Sequence, residues 1–330
     1  MTEVFEIIKS MPPWFWLAWW FVVGSFVGSF INVVVYRLPR NCLSINNPKR
    51  SFCPSCKTQL KWKDNLPIVG WLWLRGKCRY CGVKFSIRYP GVELVTALLF
   101  LLAAWRVLYA DGNISDQWQA WLTVFHIVAI AGVMLPWGLI DFDLTYIPHR
   151  LTFGPLLLFV PLGAHYHALN WGLDTWHSNP GMFEIGAPQT AVDHIPHLLF
   201  QFEPLWLNSI ASVALTGVCA SLALFFIGKI FNVVFRRRVK EIGGESIHRA
   251  DIYLMLLLGV MLGWPKLIAA FFLAIFLGAG FGIIQIAMKR GHGTPFGPYL
   301  AFGTIGAALF MDVLMGVYNW YMNLLQNWAT

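Results

Sequence analysis

The stretch that decides the fold is WFWLAWWFVVGSFVGSFINVVVY, residues 14–36, which carries no charged side chain. A helix needs about 20 apolar residues to cross a bilayer, so this stretch predicts a membrane span. The segment before it is acidic, with Glu3 and Glu6, and no small-residue cleavage site follows it. The stretch is therefore expected to stay in the membrane and not to be a cleaved signal peptide.

The composition extends this prediction to the whole chain. Of 330 residues, 57% are hydrophobic and only 12% are charged, whereas a soluble domain carries roughly 25% charged residues. This excludes a soluble enzyme, a disordered tail and a secreted disulfide scaffold. Further apolar runs lie at 92–110, 119–140, 151–168, 207–234, 251–263, 265–288 and 298–320. Because Gly263, Trp264 and Pro265 indicate a tight hairpin, we predict an all-α polytopic membrane protein with about eight transmembrane helices.

Lysine and arginine residues assign the two sides of the membrane. They concentrate in the segments 37–91, 236–249 and 289–290, with Arg150 at the start of the fourth span, whereas residues 169–206 contain none. Eight spans put all the basic segments on one face, which the positive-inside rule makes cytoplasmic, with both termini outside. The net charge of +8 thus indicates topology and contact with lipid headgroups, and we expect no nucleic-acid partner.

Four of the six cysteines form two pairs in the basic segment, Cys53 with Cys56 and Cys78 with Cys81. In a reducing compartment such pairs are more typical of metal ligands than of disulfides. Two such pairs separated by about 20 residues suit a structural zinc ion with four cysteine ligands, on a small ribbon-like insertion between the first two spans. A redox role is the alternative, although nothing nearby resembles a thioredoxin-type unit. Cys42 and Cys219 have no partner by spacing.

Acidic residues at membrane depth are candidates for function, because burying them there is costly. The predicted topology brings Asp141 and Asp251 to the same depth on the cytoplasmic side. Two adjacent carboxyl groups share a proton, so that one deprotonates water while the other protonates the carbonyl oxygen or the leaving amine. This is the chemistry of aspartic peptide hydrolysis. The alternative is that each aspartate merely caps a helix end.

Several other polar residues are expected to matter less. Asp143 should point to a different helix face from Asp141, Asp312 lies towards the outer half of the last span, and Glu93 is interpreted as a paired or capping residue at the start of the second span. Five histidines of the outer segment follow no clear ligand pattern and stay unassigned: His165, His167, His177, His194 and His197.

At this point an ordered set of motifs resembles the type IV prepilin peptidases, a family of bacterial membrane aspartic proteases. In addition to the two cysteine pairs, the motifs are Gly28–Pro39, Asn65–Pro67, Arg75–Cys81, Arg88–Glu93, Asp141 placed seven residues before Pro148, and Pro295–Leu300. The resemblance implies Asp141 and Asp251 as the catalytic acids. It also implies a type IV prepilin or type II secretion pseudopilin as substrate, cleaved at the inner membrane of a bacterium.

Many members of that family also methylate the new N-terminus, which implies S-adenosylmethionine as a second cofactor. The chain departs from the family at the second acid, where His248-Arg249-Ala250-Asp251 replaces the usual Gly-x-Gly-Asp. This departure leaves open a catalytically impaired, zinc-stabilised scaffold of pilus or secretion assembly. A proton-coupled transporter is a weaker alternative, because the chain shows no internal repeat.

The predicted organisation follows from these assignments. Residues 1–36 hold the first transmembrane helix, and residues 37–91 form the cytoplasmic zinc-binding segment associated with methyl transfer. Residues 92–320 form the peptidase core with an outer insertion at 169–206, and residues 321–330 form an outer tail. The sequence does not predict the oligomeric state.

Overall fold

A computed structural model describes residues 10–40, 51–109, 118–144, 148–170, 205–234, 249–288 and 295–329. The described chain is predominantly helical. Its helices are α1 (Pro13–Arg37), α2 (Val69–Trp73), α3 (Arg88–Leu108), α4 (Trp118–Leu144), α5 (His149–Asn170), α6 (Leu205–Val234), α7 (Arg249–Ala287) and α8 (Gly297–Ala329). Apart from two isolated antiparallel bridges, Phe52 with Gln59 and Lys77 with Lys84, the described residues contain no extended pairing.

The predicted all-α polytopic fold is confirmed. Within the described ranges, six helices are long and apolar enough to cross a membrane, and they are carried by α1, α3, α4, α6, the second half of α7, and α8. The two remaining predicted spans also fall on helices. One is the 22-residue α5, which contains Pro155 and Pro161, and the other is the shorter apolar helix Ala250–Trp264. The chain is thus a multi-pass membrane protein.

The break predicted at Gly263, Trp264 and Pro265 is present as a kink at Gly263 within α7. Gly263 has φ 69° and ψ 174°, so two helices meet at this residue inside α7. Glycine adopts a positive φ without steric cost, and Pro265 suits the first turn of the helix that follows. α8 has a second interruption at Phe310, with φ −128° and ψ 24°, which the sequence analysis does not predict.

The chain divides into two compact units, Met1–Pro148 and His149–Thr330. In the first unit α1 packs against α3 and α4. Gly24 and Gly28 are buried on one face of α1, and a Cβ atom built on them would lie 2.8 Å and 2.6 Å from the Cα atoms of Ala97 and Glu93. Small residues four apart let membrane helices approach closely, and they explain this contact.

In the second unit α7 packs against α8, α6 and α5. Gly217 of α6 and Gly259 of α7 face each other, because a Cβ atom on Gly259 would lie 2.6 Å from the Cα atom of Gly217. Gly303 of α8 lies equally close to the backbone of α7 at Ala270 and Ala274. Packing of helices in a membrane excludes no water, so it gains nothing from the hydrophobic effect. Close approach of the backbones stabilises the packing through dispersion contacts instead.

Candidate functional site

The cysteine pairs lie in two turns with the same backbone geometry. In the first, the N–H of Cys53 donates to the carbonyl of Thr58 (3.0 Å) and the N–H of Lys57 donates to the carbonyl of Cys53 (2.9 Å). In the second, the N–H of Cys78 donates to Val83 (2.8 Å) and that of Gly82 donates to Cys78 (3.0 Å). The residue after each second cysteine has a positive φ, 58° at Lys57 and 71° at Gly82.

These two turns bring the four sulfur atoms together. All four Sγ atoms lie within 4.8 Å of one another, and those of Cys53 and Cys81 are 3.8 Å apart. A tetrahedral zinc site with bonds of about 2.3 Å has S···S edges of about 3.8 Å, whereas a disulfide requires about 2.05 Å. The four cysteines are free thiols, and their arrangement could hold a metal ion.

The four thiols lie so close together that their pKa values shift in different directions. Hydrogen bonds from Thr58 lower the pKa of Cys56 to about 6. Burial raises the pKa of Cys78, but the N–H groups of Cys81 and Tyr80 outweigh it, and the net pKa is lowered. The N–H of Val83 lowers the pKa of Cys81, but burial and the other three thiols raise it to about 11. A divalent cation would neutralise the thiolates that repel one another here.

The spacer between the pairs carries a buried carboxylate, Asp64, which forms an ion pair with the half-exposed Arg79 of the second cysteine turn, and it also carries a strained residue. The Arg79 guanidinium donates twice to Oδ1 of Asp64, at 2.6 Å and 2.8 Å, and the Asp64 side chain is 1% exposed. Ile68 has φ 61°, which is unusual for a β-branched residue. Its N–H donates to Oε2 of Glu93 (2.6 Å), so the carboxylate ties the spacer to α3. Glu93 is thus a paired residue, as the sequence analysis interprets it.

A cleft of about 190 Å³ lies where α1 and α3 meet the cysteine-bearing segment. Its walls include Asn32 and Arg37 of α1, Asp64 and Trp71 of the spacer, and Tyr89 and Glu93 of α3. Asn32 is held by a hydrogen bond from its side-chain amide to the carbonyl of Tyr89 (3.0 Å). The sequence analysis does not identify this cleft, because its walls come from three separate segments with no common spacing.

Asp141 and Asp143 lie in the last turn of α4. Asp141 is half-buried, and the more exposed Asp143 forms a two-pronged ion pair with Arg88 at the start of α3, with both contacts at 2.8 Å. The two neighbouring acids therefore have different surroundings. The Arg88–Asp143 pair ties the end of α4 to α3 within the first unit.

Asp251 lies in the first turn of α7, in the second unit, and is half-buried. Two residues later, Tyr253 packs its ring against His149 and Phe153 of α5, with centroids 5.8 Å and 5.1 Å apart. Asp312 is exposed on α8. His248, Cys42 and residues 171–204 of the outer segment lie outside the described residues. The pairing of Asp141 with Asp251 stays a prediction.

Comparison with known proteins finds similarity over nearly the whole chain. Residues 22–107 match the family described as Bacterial Peptidase A24 N-terminal domain. The chain is also 28% identical to a prepilin leader peptidase/N-methyltransferase of Aeromonas salmonicida, with 98% of this chain and 99% of the relative covered. No solved structure matches.

Two further relatives carry the same name. The one from Stutzerimonas stutzeri is 29% identical, with 98% of this chain and 100% of the relative covered. The one from Pseudomonas aeruginosa is also 29% identical, with coverages of 90% and 91%. The resemblance predicted from the ordered motifs is confirmed, because the chain is similar over nearly its whole length to proteins named prepilin leader peptidase/N-methyltransferase.

Proposed function

We propose that this protein is a membrane aspartic endopeptidase that removes the cytoplasmic leader from type IV prepilins or type II secretion pseudopilins. The observation that carries the proposal is similarity over 98% of the chain to proteins named prepilin leader peptidase/N-methyltransferase. The resemblance of the motifs implies Asp141 and Asp251 as the two catalytic acids. The proposed site is in the bacterial inner membrane, where a basic leader meets the apolar helix of its substrate.

In the proposed mechanism, Asp141 and Asp251 share one proton. The ionised carboxylate removes a proton from a water molecule, which attacks the scissile carbonyl, and the protonated partner donates to the carbonyl oxygen. The collapse of this intermediate breaks the C–N bond and transfers a proton to the leaving amine. Each carboxyl group acts by accepting or donating a proton, so an asparagine amide at either position cannot replace it.

The direct test is cleavage of a purified prepilin by the wild type and by Asp141→Asn and Asp251→Asn. We expect each variant to lose activity by about 100-fold or more, the usual contribution of a positioned acid or base. Asp143→Asn is the matched control. It removes a half-exposed ion pair worth about 0–1 kcal/mol, so substantial activity should remain.

Each outcome of this cleavage test supports or refutes one assignment. Full activity of either asparagine variant would refute the dyad, and loss of activity in Asp143→Asn alone would show that Asp143 is the catalytic acid of α4. A wild-type protein that binds prepilin without cutting it would support the scaffold alternative, for which the altered residues before Asp251 are the argument.

We also propose that the four cysteines hold a structural zinc ion. A serine in place of Cys53 or Cys78 removes a soft ligand, and we expect zinc content to fall from about one ion per chain towards zero. Cys219→Ser is the control, because Cys219 lies on α6 in the second unit. Elemental analysis after purification under reducing conditions measures the result, and a zinc-free wild type would contradict the assignment.

We infer that the protein also methylates the new N-terminus of its product, since the names of its relatives include N-methyltransferase activity. The methyl group would come from S-adenosylmethionine. Mass spectrometry of the mature pilin tests this inference. One added methyl group that depends on the cofactor supports it, and an unmethylated product under full cleavage contradicts it.

A further inference from the structure

The short helix α2 has an inner and an outer side. On the inner side, Trp71 lines the cleft, and Gly70 is buried against the turn that precedes the helix. On the outer side lie the three remaining residues of the helix, with exposed fractions of 53% for Val69, 60% for Leu72 and 78% for Trp73. Residues spaced by three and four share one side of a helix, so these three form a continuous surface, the apolar face of α2.

This apolar face needs a partner of its own. Three large apolar side chains side by side on an exposed surface are costly in water, and such clusters are typical of interaction sites. Two more large apolar side chains of the same segment are also exposed, Trp62 before α2 and Ile87 directly before α3. The turn that begins at Trp62 packs against α2.

A hydrogen bond sets the position of α2 along α3. The N–H of Ile68, the residue before α2, donates to Oε2 of Glu93 (2.6 Å). Glu93 lies about 7.5 Å inside α3 from its first residue, Arg88, at a rise of 1.5 Å per residue. Because α3 is one of the helices long and apolar enough to cross a membrane, α2 begins level with the end of a span. This is the depth of the lipid headgroups.

The charges around the apolar face indicate the chemistry of the partner. Residues 57–88 contain eight lysine or arginine residues and one acid, Asp64, which is paired with Arg79. The ammonium of Lys63 lies 5.6 Å from the centroid of the Trp62 ring, and tryptophan together with lysine is typical of the membrane interface. The basic side chains that flank α2 in sequence are exposed: Lys61, Lys63, Arg75 and Lys77.

An anionic lipid leaflet complements both properties of this surface. It offers negative headgroups to the basic side chains and an apolar layer beneath them to the face of α2. The basic leader of a prepilin has the same sign of charge as this surface and would be repelled by it. A second copy of the same surface would be repelled for the same reason.

We propose that the apolar face of α2 docks on anionic phospholipids of the leaflet in which α1 ends and α3 begins. Leu72 and Trp73 enter the boundary between headgroups and acyl chains, while the surrounding lysine and arginine side chains bind the phosphates. The docked helix holds the cysteine-bearing segment against the membrane surface. This inference goes beyond the proposed function, because it does not depend on whether the protein cleaves prepilin.

The test is photo-crosslinking of the full chain in nanodiscs made of equal parts of phosphatidylcholine and phosphatidylglycerol. Trp73→p-benzoylphenylalanine places the photoreactive group on the apolar face of α2. Phe30→p-benzoylphenylalanine is the matched control, because Phe30 is an exposed aromatic residue of the membrane helix α1 and reports the average lipid around the protein. Mass spectrometry identifies the adducts and measures the ratio of the two lipids.

We expect phospholipid adducts at both positions. The ratio of phosphatidylglycerol to phosphatidylcholine should be about fivefold higher at residue 73 than at residue 30, the effect of one basic residue at an anionic surface. In about 0.5 M salt, which screens such attraction, the ratio at residue 73 should fall towards that at residue 30. Lys63→Gln combined with Arg75→Gln should lower the ratio in the same way and leave the adduct in place.

Three outcomes would overturn the proposal in variants that keep the wild-type midpoint of thermal unfolding. These are the absence of a lipid adduct at residue 73 while residue 30 gives one, a covalent dimer of the chain in its place, and equal lipid ratios at the two positions in low salt. Asp141→Asn carrying the label at residue 73 should give the same adducts although it cleaves no prepilin. Failure of the docking and failure of the peptidase are therefore distinguishable.

Discussion

At the scale of single residues, the backbone conformation of the two cysteine turns predicts stability changes for substitutions that leave the metal ligands in place. Lys57 and Gly82 occupy equivalent positions with positive φ, but only one of them is glycine. A Cβ atom on Gly82 meets nothing within 4 Å, so Gly82→Ala would cost only backbone strain, about 1–2 kcal/mol. Lys57→Gly relieves the same strain and should stabilise the protein by up to about 1 kcal/mol.

Thermal unfolding of the zinc-loaded protein measures both changes. The comparison has an internal control, because the two positions have the same local structure and the substitutions go in opposite directions. A lower midpoint for Lys57→Gly, or an unchanged one for Gly82→Ala, would show that these turns are not equivalent in solution.

The residue scale also shows what the sequence can and cannot predict. The four-cysteine cluster could be predicted from sequence spacing because each cysteine pair lies in a local turn of a few residues. The unpartnered Oδ2 of Asp64 and the hydrogen bond from Ile68 to Glu93 depend on contacts between segments, which spacing does not encode. Asp141 and Asp251, the two acids proposed for catalysis, are partly predictable from the sequence. The predicted topology gives their depth in the membrane but not the distance between them.

At the scale of helices, the contact between α1 and α3 depends on glycine. A Cβ atom on Gly28 would lie 2.6 Å from the Cα atom of Glu93, and a backbone atom cannot rotate away. We expect Gly28→Ala to destabilise the first unit by about 1–3 kcal/mol. Because Glu93 lines the cleft, the same change should also displace that wall of the cleft.

Gly132→Ala on α4 is the matched control, because a Cβ atom there meets nothing within 4 Å. An alanine in a helix is up to about 1 kcal/mol more favourable than glycine, so this variant should be neutral or slightly more stable. Unfolding of both variants in detergent gives the comparison. Equal stabilities would mean that α1 and α3 do not approach as closely as the structure indicates.

Each of the eight spans predicted from the hydrophobic pattern falls on a described helix, and six of these are long and apolar enough to cross a membrane. The pattern also predicts the interruption at Gly263, because length, apolarity and the Gly-Trp-Pro sequence are local properties. It does not predict which helices are neighbours. That information lies in glycines such as Gly217 and Gly259, whose role appears only when two helices are brought together. The interruption at Phe310 has no glycine or proline beside it and gives no local signal.

At the scale of the whole molecule, the few charged residues determine the expected orientation in the membrane. The eight predicted spans would put both termini outside, with the exposed Lys57 and Arg75 in the segment predicted to be cytoplasmic. Alkaline phosphatase fused after Thr330 of the full chain should therefore be active, and green fluorescent protein at the same place should be dark. Trypsin should cut after Lys57 or Arg75 in inverted vesicles but not in spheroplasts. A fluorescent C-terminal fusion would refute the orientation, and with it the proposal that prepilin leaders reach Asp141 and Asp251 from the cytoplasm.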